Sequence, residues 1–315
     1  MTEFGYTLSS EESGPTELVE NAVEAEDRGY DFLSVSDHFH PWLAEQGESP
    51  FVWSTLGGVA EATEEVDVGV GVTCPTTRIH PVNVAQAAAT TKAMLDGRAF
   101  YFGVGTGEAL NEHVTGERWP EYAVRKEMLA EAIDVIRSLW TGEQVSHRGP
   151  HYTVENARLF TLPDEPPSLV VSAFGAESAR MADELGDGFW SVGPQDIVSE
   201  FDGDGPKITQ LSVCVADGED EAVETAHENW RQSALPGELN QELPTPKHFD
   251  QASQLVSEDD VREGSILTDT DPQAHVDSIQ QCLDAGYDHV YFHQIGDDQE
   301  AFFEFYEEEV LPSFR

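Results

Sequence analysis

The stretch AFYFGVGTGEALNE, residues 99–112, decides the fold. Its first part, Ala99–Val104, is apolar and aromatic and reads as a buried strand. The next part, Gly105-Thr106-Gly107, resembles a dinucleotide fingerprint at first sight. The spacing to a last glycine that opens a helix is missing, and no acidic residue on a paired strand follows, so a Rossmann reading is weak. Glycines at a strand end instead let a flat ring lie close to the backbone. Glu108 then faces that ring, and Asn111 is placed to hydrogen-bond its edge.

Working outward, the same rhythm recurs on both sides. Upstream lie apolar runs at Phe4–Ser9, Asp31–Ser36 and Val66–Thr73. Helical patterns separate them at about Pro15–Arg28, Val52–Thr63 and Pro81–Leu95, with Pro where a first helical turn tolerates it and Gly29 as a stop. Downstream come a long helix over Val124–Trp140 and a strand-rich excursion at Gly149–Leu162. Further strands are expected at Ser168–Ala173, Gly188–Val192, Ile208–Val215 and His289–Gln294, with helices at about Glu177–Leu185, Glu219–Ser233, Pro272–Ala285 and Gln299–Val310. The link between Val192 and Ile208 has weak helical character. Eight strands alternating with helices in 315 residues predict one α/β domain, a closed (β/α)₈ TIM barrel over residues 1–315. The polar, Pro-containing stretch at about 235–264 is too long for a plain connection and reads as a lid or substrate-wall insertion.

Charge bounds the partners. Asp and Glu number 61 against 16 Lys and Arg, a formal charge of −45 spread along the whole chain. Low Lys with abundant carboxylate is the pattern of a halophilic protein working in molar salt, where screening shortens to about 3 Å. Nucleic acid and anionic membranes are excluded as partners, because no Lys/Arg cluster exists to meet phosphate. Cys74, Cys214 and Cys282 are scattered without metal-ligand spacing, which suits a reducing cytoplasm and no metal site. The opening MTEFGYTLSSEES lacks a positive segment followed by an apolar one, so no signal peptide is expected. No apolar run approaches the roughly 20 residues of a membrane span.

In a parallel barrel, chemistry sits at the carboxyl ends of strands. The second strand ends in Asp37-His38-Phe39-His40-Pro41-Trp42. An imidazole there titrates near neutrality and can move a proton to or from a substrate oxygen. Val72-Thr73-Cys74 ends the third strand and forms a wall of small and β-branched residues. Cys74 is a packed residue rather than a nucleophile, with no base beside it. Phe174-Gly175-Ala176-Glu177-Ser178 opens a helix whose free N–H groups suit phosphate, although Glu177 does not.

Together, Gly5-Tyr6, Asp37-His38, Thr73-Cys74-Pro75 with Arg78 and Pro81, Gly105–Glu112 and Trp119-Pro120 resemble the luciferase-like superfamily, in its coenzyme F420-dependent oxidoreductase branch. That branch includes dehydrogenases acting on a sugar phosphate and on secondary alcohols. The resemblance implies an insertion-bearing barrel, often a homodimer, with a cis peptide at Gly71-Val72. It implies coenzyme F420 as cofactor and hydride transfer with a small alcohol, sugar or carbonyl substrate. By the same resemblance, Asp37, Gly71, Val72, Thr106, Gly107 and Asn111 meet the deazaflavin, and Phe174, Gly175, Ala176, Glu177 and Ser178 form its phosphate loop. His38 is the implied base, Trp42 packs at the reacting centre, Glu108 serves the ring nitrogen, and Glu11 lines the pocket. The sugar-phosphate members clamp the substrate phosphate with two Lys and one Arg. Here Lys247 alone matches, Gln195 replaces the second Lys, and Arg262 is the candidate stand-in for the Arg. Glucose 6-phosphate is therefore a doubtful substrate. The alternatives are an FMN-dependent monooxygenase of the same superfamily and a deazaflavin binder without turnover.

Overall fold

The computed structural model describes residues 2–315. Ten strands form: β1 (Glu3–Leu8), β2 (Phe32–Val35), β3 (Asp67–Thr73), β4 (Phe100–Val104), β5 (Val145–Arg148), β6 (Thr153–Ala157), β7 (Ser168–Ser172), β8 (Gly188–Val192), β9 (Lys207–Val213) and β10 (His289–Gln294). Eight of them close into a parallel barrel in the order β1-β2-β3-β4-β7-β8-β9-β10, with β10 paired back onto β1. The β5–β6 pair is a separate antiparallel hairpin. It starts four residues before the expected excursion, since Val145–Arg148 carries too little alternation to read as a strand alone. Tyr152 pins it to the barrel by donating its hydroxyl to the Pro75 and Thr76 carbonyls at 3.2 and 2.9 Å.

The helices are α1 (Pro15–Asp27), α2 (Val52–Ala62), α3 (Pro81–Met94), α4 (Ala109–Glu112), α5 (Tyr122–Trp140), α6 (Ala176–Leu185), α7 (Glu219–Trp230), α8 (Leu239–Glu242), α9 (Pro246–Ser253), α10 (Glu258–Arg262), α11 (Pro272–Ala285) and α12 (Gln299–Phe305). Proline opens α1, α3, α9 and α11, where the lost N–H has no intrahelical partner anyway. Gly286, at φ +111°, ends α11 in the left-handed conformation that a side chain disfavours. Between β8 and β9 a single 3₁₀ turn, Asp196–Glu200, replaces the usual helix, in line with that link's weak helical pattern.

Large side chains fill the barrel interior. Phe32, Tyr101, Val170, Trp190, Ile208 and Tyr291 form one buried cluster, and Trp190 donates its indole N–H to the Tyr291 hydroxyl at 2.8 Å. Glycines face these bulky residues: a Cβ on Gly71 would lie 2.7 Å from the Trp190 ring, and one on Gly5 would lie 2.6 Å from Phe32. This plug makes the barrel a packed core rather than a pore, so function is confined to its rims. A second, larger apolar layer lies between the strands and the surrounding helices.

Residues 235–264 fold as the three short helices α8, α9 and α10. Helix α8 is tied to the loop after β4, where Glu242 accepts from Arg125 and from the Trp119 indole, each at 3.2 Å. Helix α9 sends Phe249 against Trp42, ring centres 5.0 Å apart. The insertion therefore lies across the carboxyl-terminal rim.

Candidate active site

The strand ends β1, β2, β3 and β4 bring Glu11, Asp37, His38, Trp42, Arg78, Glu108, Asn111 and Glu112 to one rim. The β2 loop leaves the barrel at Asp37, which is buried and fully engaged. Thr73 Oγ1 donates to its Oδ2 at 2.7 Å, and Arg78 Nη2 donates to its Oδ1 at 2.8 Å. Glu112 completes this group, accepting the backbone N–H of Arg78 at 2.8 Å with the Arg78 guanidinium at 3.5 Å. Burial pushes the Glu112 carboxyl above its ordinary range, against the pull of Arg78. One guanidinium thus holds two buried carboxylates, an arrangement that depends strongly on the cation.

His38 stands between two acids. Its Nδ1 lies 3.3 Å from Glu11 Oε1, and its Nε2 lies 3.8 Å from Glu108 Oε2. The ring meets Trp42 edge-on at 5.0 Å. Glu11 is buried, and Ser36 donates to its Oε2 at 2.6 Å. Glu108 is half-buried at the start of α4, and Asn111 Nδ2 donates to it at 3.2 Å. The protein surrounding Glu108 raises its pKa by desolvation, and the nearby His38 opposes that rise. A carboxyl raised in this way can hold a proton closer to neutrality than an exposed one.

Asn111 has a structural duty that the sequence did not disclose. Its Oδ1 accepts the backbone N–H groups of Phe39 at 2.9 Å and His40 at 3.2 Å. The amide therefore fixes the loop that carries His38 and Trp42. Its engaged carbonyl leaves the ring edge less of this side chain than expected. Cys74 is a free thiol whose pKa burial pushes well above the ordinary value, as suits a packed residue.

At the expected ring site the glycines meet close neighbours. Gly107 sits at φ +87°, and a Cβ there would fall 2.8 Å from Glu112; one on Gly105 would fall 2.9 Å from Val72. The peptide Gly71–Val72 is cis, where the resemblance placed it, and Val72 and Thr106 are partly open to the rim. Phe174, Gly175, Ala176 and Glu177 are exposed at the start of α6, and a Cβ on Gly175 would meet nothing. Ser178 Oγ accepts the N–H groups of Phe174 and Gly175 at 3.2 and 3.1 Å. The first-turn N–H groups after them have no helical acceptor. Glu177 is ion-paired with Lys126, so its charge is partly offset.

Arg262 is placed differently from its expected role. It pairs with Glu219 and Asp220 at the start of α7, so it is not a free phosphate ligand at the rim. Lys247 is exposed on α9, and Gln195 is exposed with its amide on the Val192 carbonyl at 2.9 Å. Arg78, Glu112, Ser36 and Asn111's bonds to the loop were not assigned roles from composition or spacing. The available signal was Arg78 itself, one of few cations in an acidic chain and placed just after a strand end. Among the described residues no group of His, Cys, Asp and Glu is arranged to hold a metal ion, and no helix is long and apolar enough to cross a membrane.

A plugged parallel barrel with an imidazole between two acids at its carboxyl rim defines a class, and the comparisons give the family. A family model described as luciferase-like monooxygenase matches residues 1–289, and the chain belongs to this luciferase-like family. An F420-dependent glucose-6-phosphate dehydrogenase of Microbacterium testaceum is 35% identical over 331 residues, covering 99% of this chain and 97% of its own. The protein of the same name from Segniliparus rotundus is 36% identical over 329 residues, covering 99% and 98%. A solved structure, an F420-dependent secondary alcohol dehydrogenase in complex with an F420-acetone adduct, aligns with TM-score 0.91 at 30% identity, covering 100% of this chain and 99% of its own.

Proposed function

We propose that this protein is a coenzyme F420-dependent oxidoreductase that moves hydride between the deazaflavin and a small alcohol or its carbonyl product. The observation that carries the reading is His38 held between Glu11 and Glu108 at the carboxyl-terminal rim. The residues present fit the coenzyme. Val72 and Thr106 are partly open at the rim, and the exposed start of α6 offers N–H groups to phosphate. Asp37, Thr106 and Asn111 border the ring in this reading, and Phe174–Ser178 border the phosphate. The bound deazaflavin supplies the hydride acceptor or donor.

The chain's own residues do the rest. His38 Nε2 faces Glu108 and takes the hydroxyl proton as the alcohol is oxidised, or returns it in the reverse direction. Trp42 backs the His38 ring and, with Phe249, sets where the substrate carbon lies. Glu108 Oε2 holds a proton toward the coenzyme's ring nitrogen, a task its raised pKa supports. Helices α8–α10 act as the wall that keeps water out. Phe249 on α9 packs with Leu43, Leu110 and Leu235 in an apolar cluster against this wall, which favours a neutral alcohol. The curated relatives carry glucose-6-phosphate in their names, so the missing phosphate clamp does not set that substrate aside; it ranks it second. The test is oxidation of propan-2-ol against glucose 6-phosphate in molar KCl, followed by loss of coenzyme F420 absorbance. A higher kcat/KM for propan-2-ol supports the neutral-alcohol reading, and a higher one for glucose 6-phosphate reverses the ranking.

A homodimer is part of the same proposal. The groove at α1 and the start of α2, lined by Pro15, Val19, Pro50 and the exposed Phe51, is an apolar surface that a second copy would cover. Light scattering in molar KCl distinguishes dimer from monomer.

A further inference from the structure

Behind His38 a line of polar side chains continues into the barrel wall. Glu11 Oε1 faces His38 Nδ1 at 3.3 Å, and its Oε2 lies 3.4 Å from Ser9 Oγ. Ser9 Oγ also lies 2.9 Å from Glu12 Oε2, which in turn lies 2.9 Å from His293 Nε2. Glu12 takes the Gly296 N–H at 3.1 Å on its other oxygen. His38 Nδ1 also lies 3.3 Å from the His40 carbonyl, so its link to Glu11 is a close polar contact, and hydrogen bonds run from Glu11 through Ser9 and Glu12 to His293.

Two features distinguish this line from a static brace. Ser9 has one hydroxyl hydrogen and two carboxylates beside it, so it can satisfy only one of them at a time. The other is bonded only when it carries a proton itself. The second feature is His293, 2% exposed, whose Nδ1 has no hydrogen-bond partner among the described residues. The Trp230 indole meets the His293 ring edge-on at 4.5 Å, and its N–H is also unpartnered. With Nδ1 unpartnered, the ring meets the line through Nε2, which donates to Glu12. Burial works against charge on Glu12, but His293, the Gly296 N–H and Ser9 outweigh it and lower its pKa, so the carboxylate remains an acceptor. The other titratable neighbours of Glu12, Tyr6 and Cys214, are neutral groups with pKa values raised by burial.

We propose that Glu11, Ser9 and Glu12, the last held by His293, form a proton relay that carries the proton collected by His38 away from the substrate. The proposal rests on His38 as the base. The step moves one proton and no electrons. His38 loses the Nδ1 proton to Glu11, Glu11 passes one to Ser9 Oγ, and Ser9 gives its own to Glu12. Glu12 then releases its proton to solvent; Glu11 and Ser9 are left as they began, and His38 is left with its proton on Nε2 in place of Nδ1. The side chain of Glu12 is 11% exposed and gives the relay its contact with solvent. Ser9, Glu12 and His293 are positioning and transfer residues that never touch the substrate.

The test uses the full chain loaded with oxidised coenzyme F420, carrying ¹⁵N-histidine, with the His38 signal assigned by its loss in His38→Ala. Solvent exchange of the His38 ring N–H is the readout. Ser9→Ala and Glu12→Gln are expected to slow it at least about tenfold, and Ser9→Thr, which keeps the hydroxyl, is expected to restore it. Exchange unchanged in Ser9→Ala, or equally slow in Ser9→Thr, overturns the relay. In single turnovers with propan-2-ol, Ser9→Ala should lower the rate and raise the solvent deuterium effect while coenzyme affinity stays unchanged. If wild type does not oxidise propan-2-ol but the exchange pattern holds, the substrate reading fails and the relay stands. If His38→Ala retains full turnover, the base assignment fails whatever Ser9 does.

Discussion

At the bottom of the barrel and at its mouth, an imidazole meets carboxylates, but the two groups are connected differently. At the bottom, His289 Nδ1 meets Asp288 at 2.5 Å, and its Nε2 meets Glu3 at 3.0 Å and the Tyr101 hydroxyl at 3.2 Å. Both ring nitrogens are used, and the ring packs edge-on against Phe32 and Tyr101. At the mouth, His38 Nε2 stops 3.8 Å short of Glu108, and the side chain of that acid is 33% exposed. Saturated hydrogen bonding fixes a structure, whereas donors and acceptors left over in a cleft are available to a substrate. By this measure the bottom group is a clasp and the mouth group is the candidate reaction centre.

Substitutions can break that contrast. The largest effect is expected from His38→Ala, which should cut turnover by about 10²–10⁴-fold and leave coenzyme affinity unchanged. Steady-state rates with a fluorescence titration check it, and an unchanged rate would remove the role assigned to His38. Arg78→Ala leaves Asp37 and Glu112 buried without their cation and should cost about 3–5 kcal/mol of stability. Denaturant unfolding in molar KCl measures this, and a loss below about 1 kcal/mol would mean the pair is not buried as described.

The bottom clasp predicts an alkaline effect. Burial opposes charge on His289, but the hydrogen bonds to Asp288 and Glu3 prevail and push its pKa up to about 9. A pKa raised in the folded state stabilises fully below the unfolded value of about 6.5 and is lost as pH rises through the folded value. The clasp should therefore contribute up to about 3 kcal/mol at pH 6 and little at pH 10. His289→Gln should flatten that slope and leave the rate at pH 7 unchanged, and an identical slope in both proteins would contradict the assignment. The smallest effect belongs to Lys247→Ala, less than about twofold on propan-2-ol, because an exposed cation gives a neutral substrate little. A marked rise in KM for glucose 6-phosphate alone would give Lys247 a phosphate role and sharpen the substrate ranking.

The barrel was legible because its signals are local. Apolar runs such as Val66–Thr73 and caps such as Pro15 and Gly29 state strand and helix within a few residues. The gathering of Asp37, His38, Glu108 and Asn111 at one rim was legible because a parallel barrel brings its strand ends together there. The connections among them were not. Glu12 and His293 are separated by nearly the whole chain, and Phe249 reaches Trp42 through an insertion without clear periodicity. Asn111 read as a ring contact because its bonds to the backbone of Phe39 and His40 depend on how two loops cross. Arg262 read as a candidate phosphate ligand because its acidic partners on α7 lie more than 40 residues earlier. Pairing across such distances is set by tertiary packing, which residue spacing does not encode.

The central claim is that the mouth is shaped for a deazaflavin. Its most direct test is a titration in molar KCl comparing oxidised coenzyme F420 with FMN by quenching of tryptophan fluorescence. Tight binding of coenzyme F420 with weak or no binding of FMN is the predicted result. Preference for FMN would contradict it and move the protein to the flavin monooxygenases of its family.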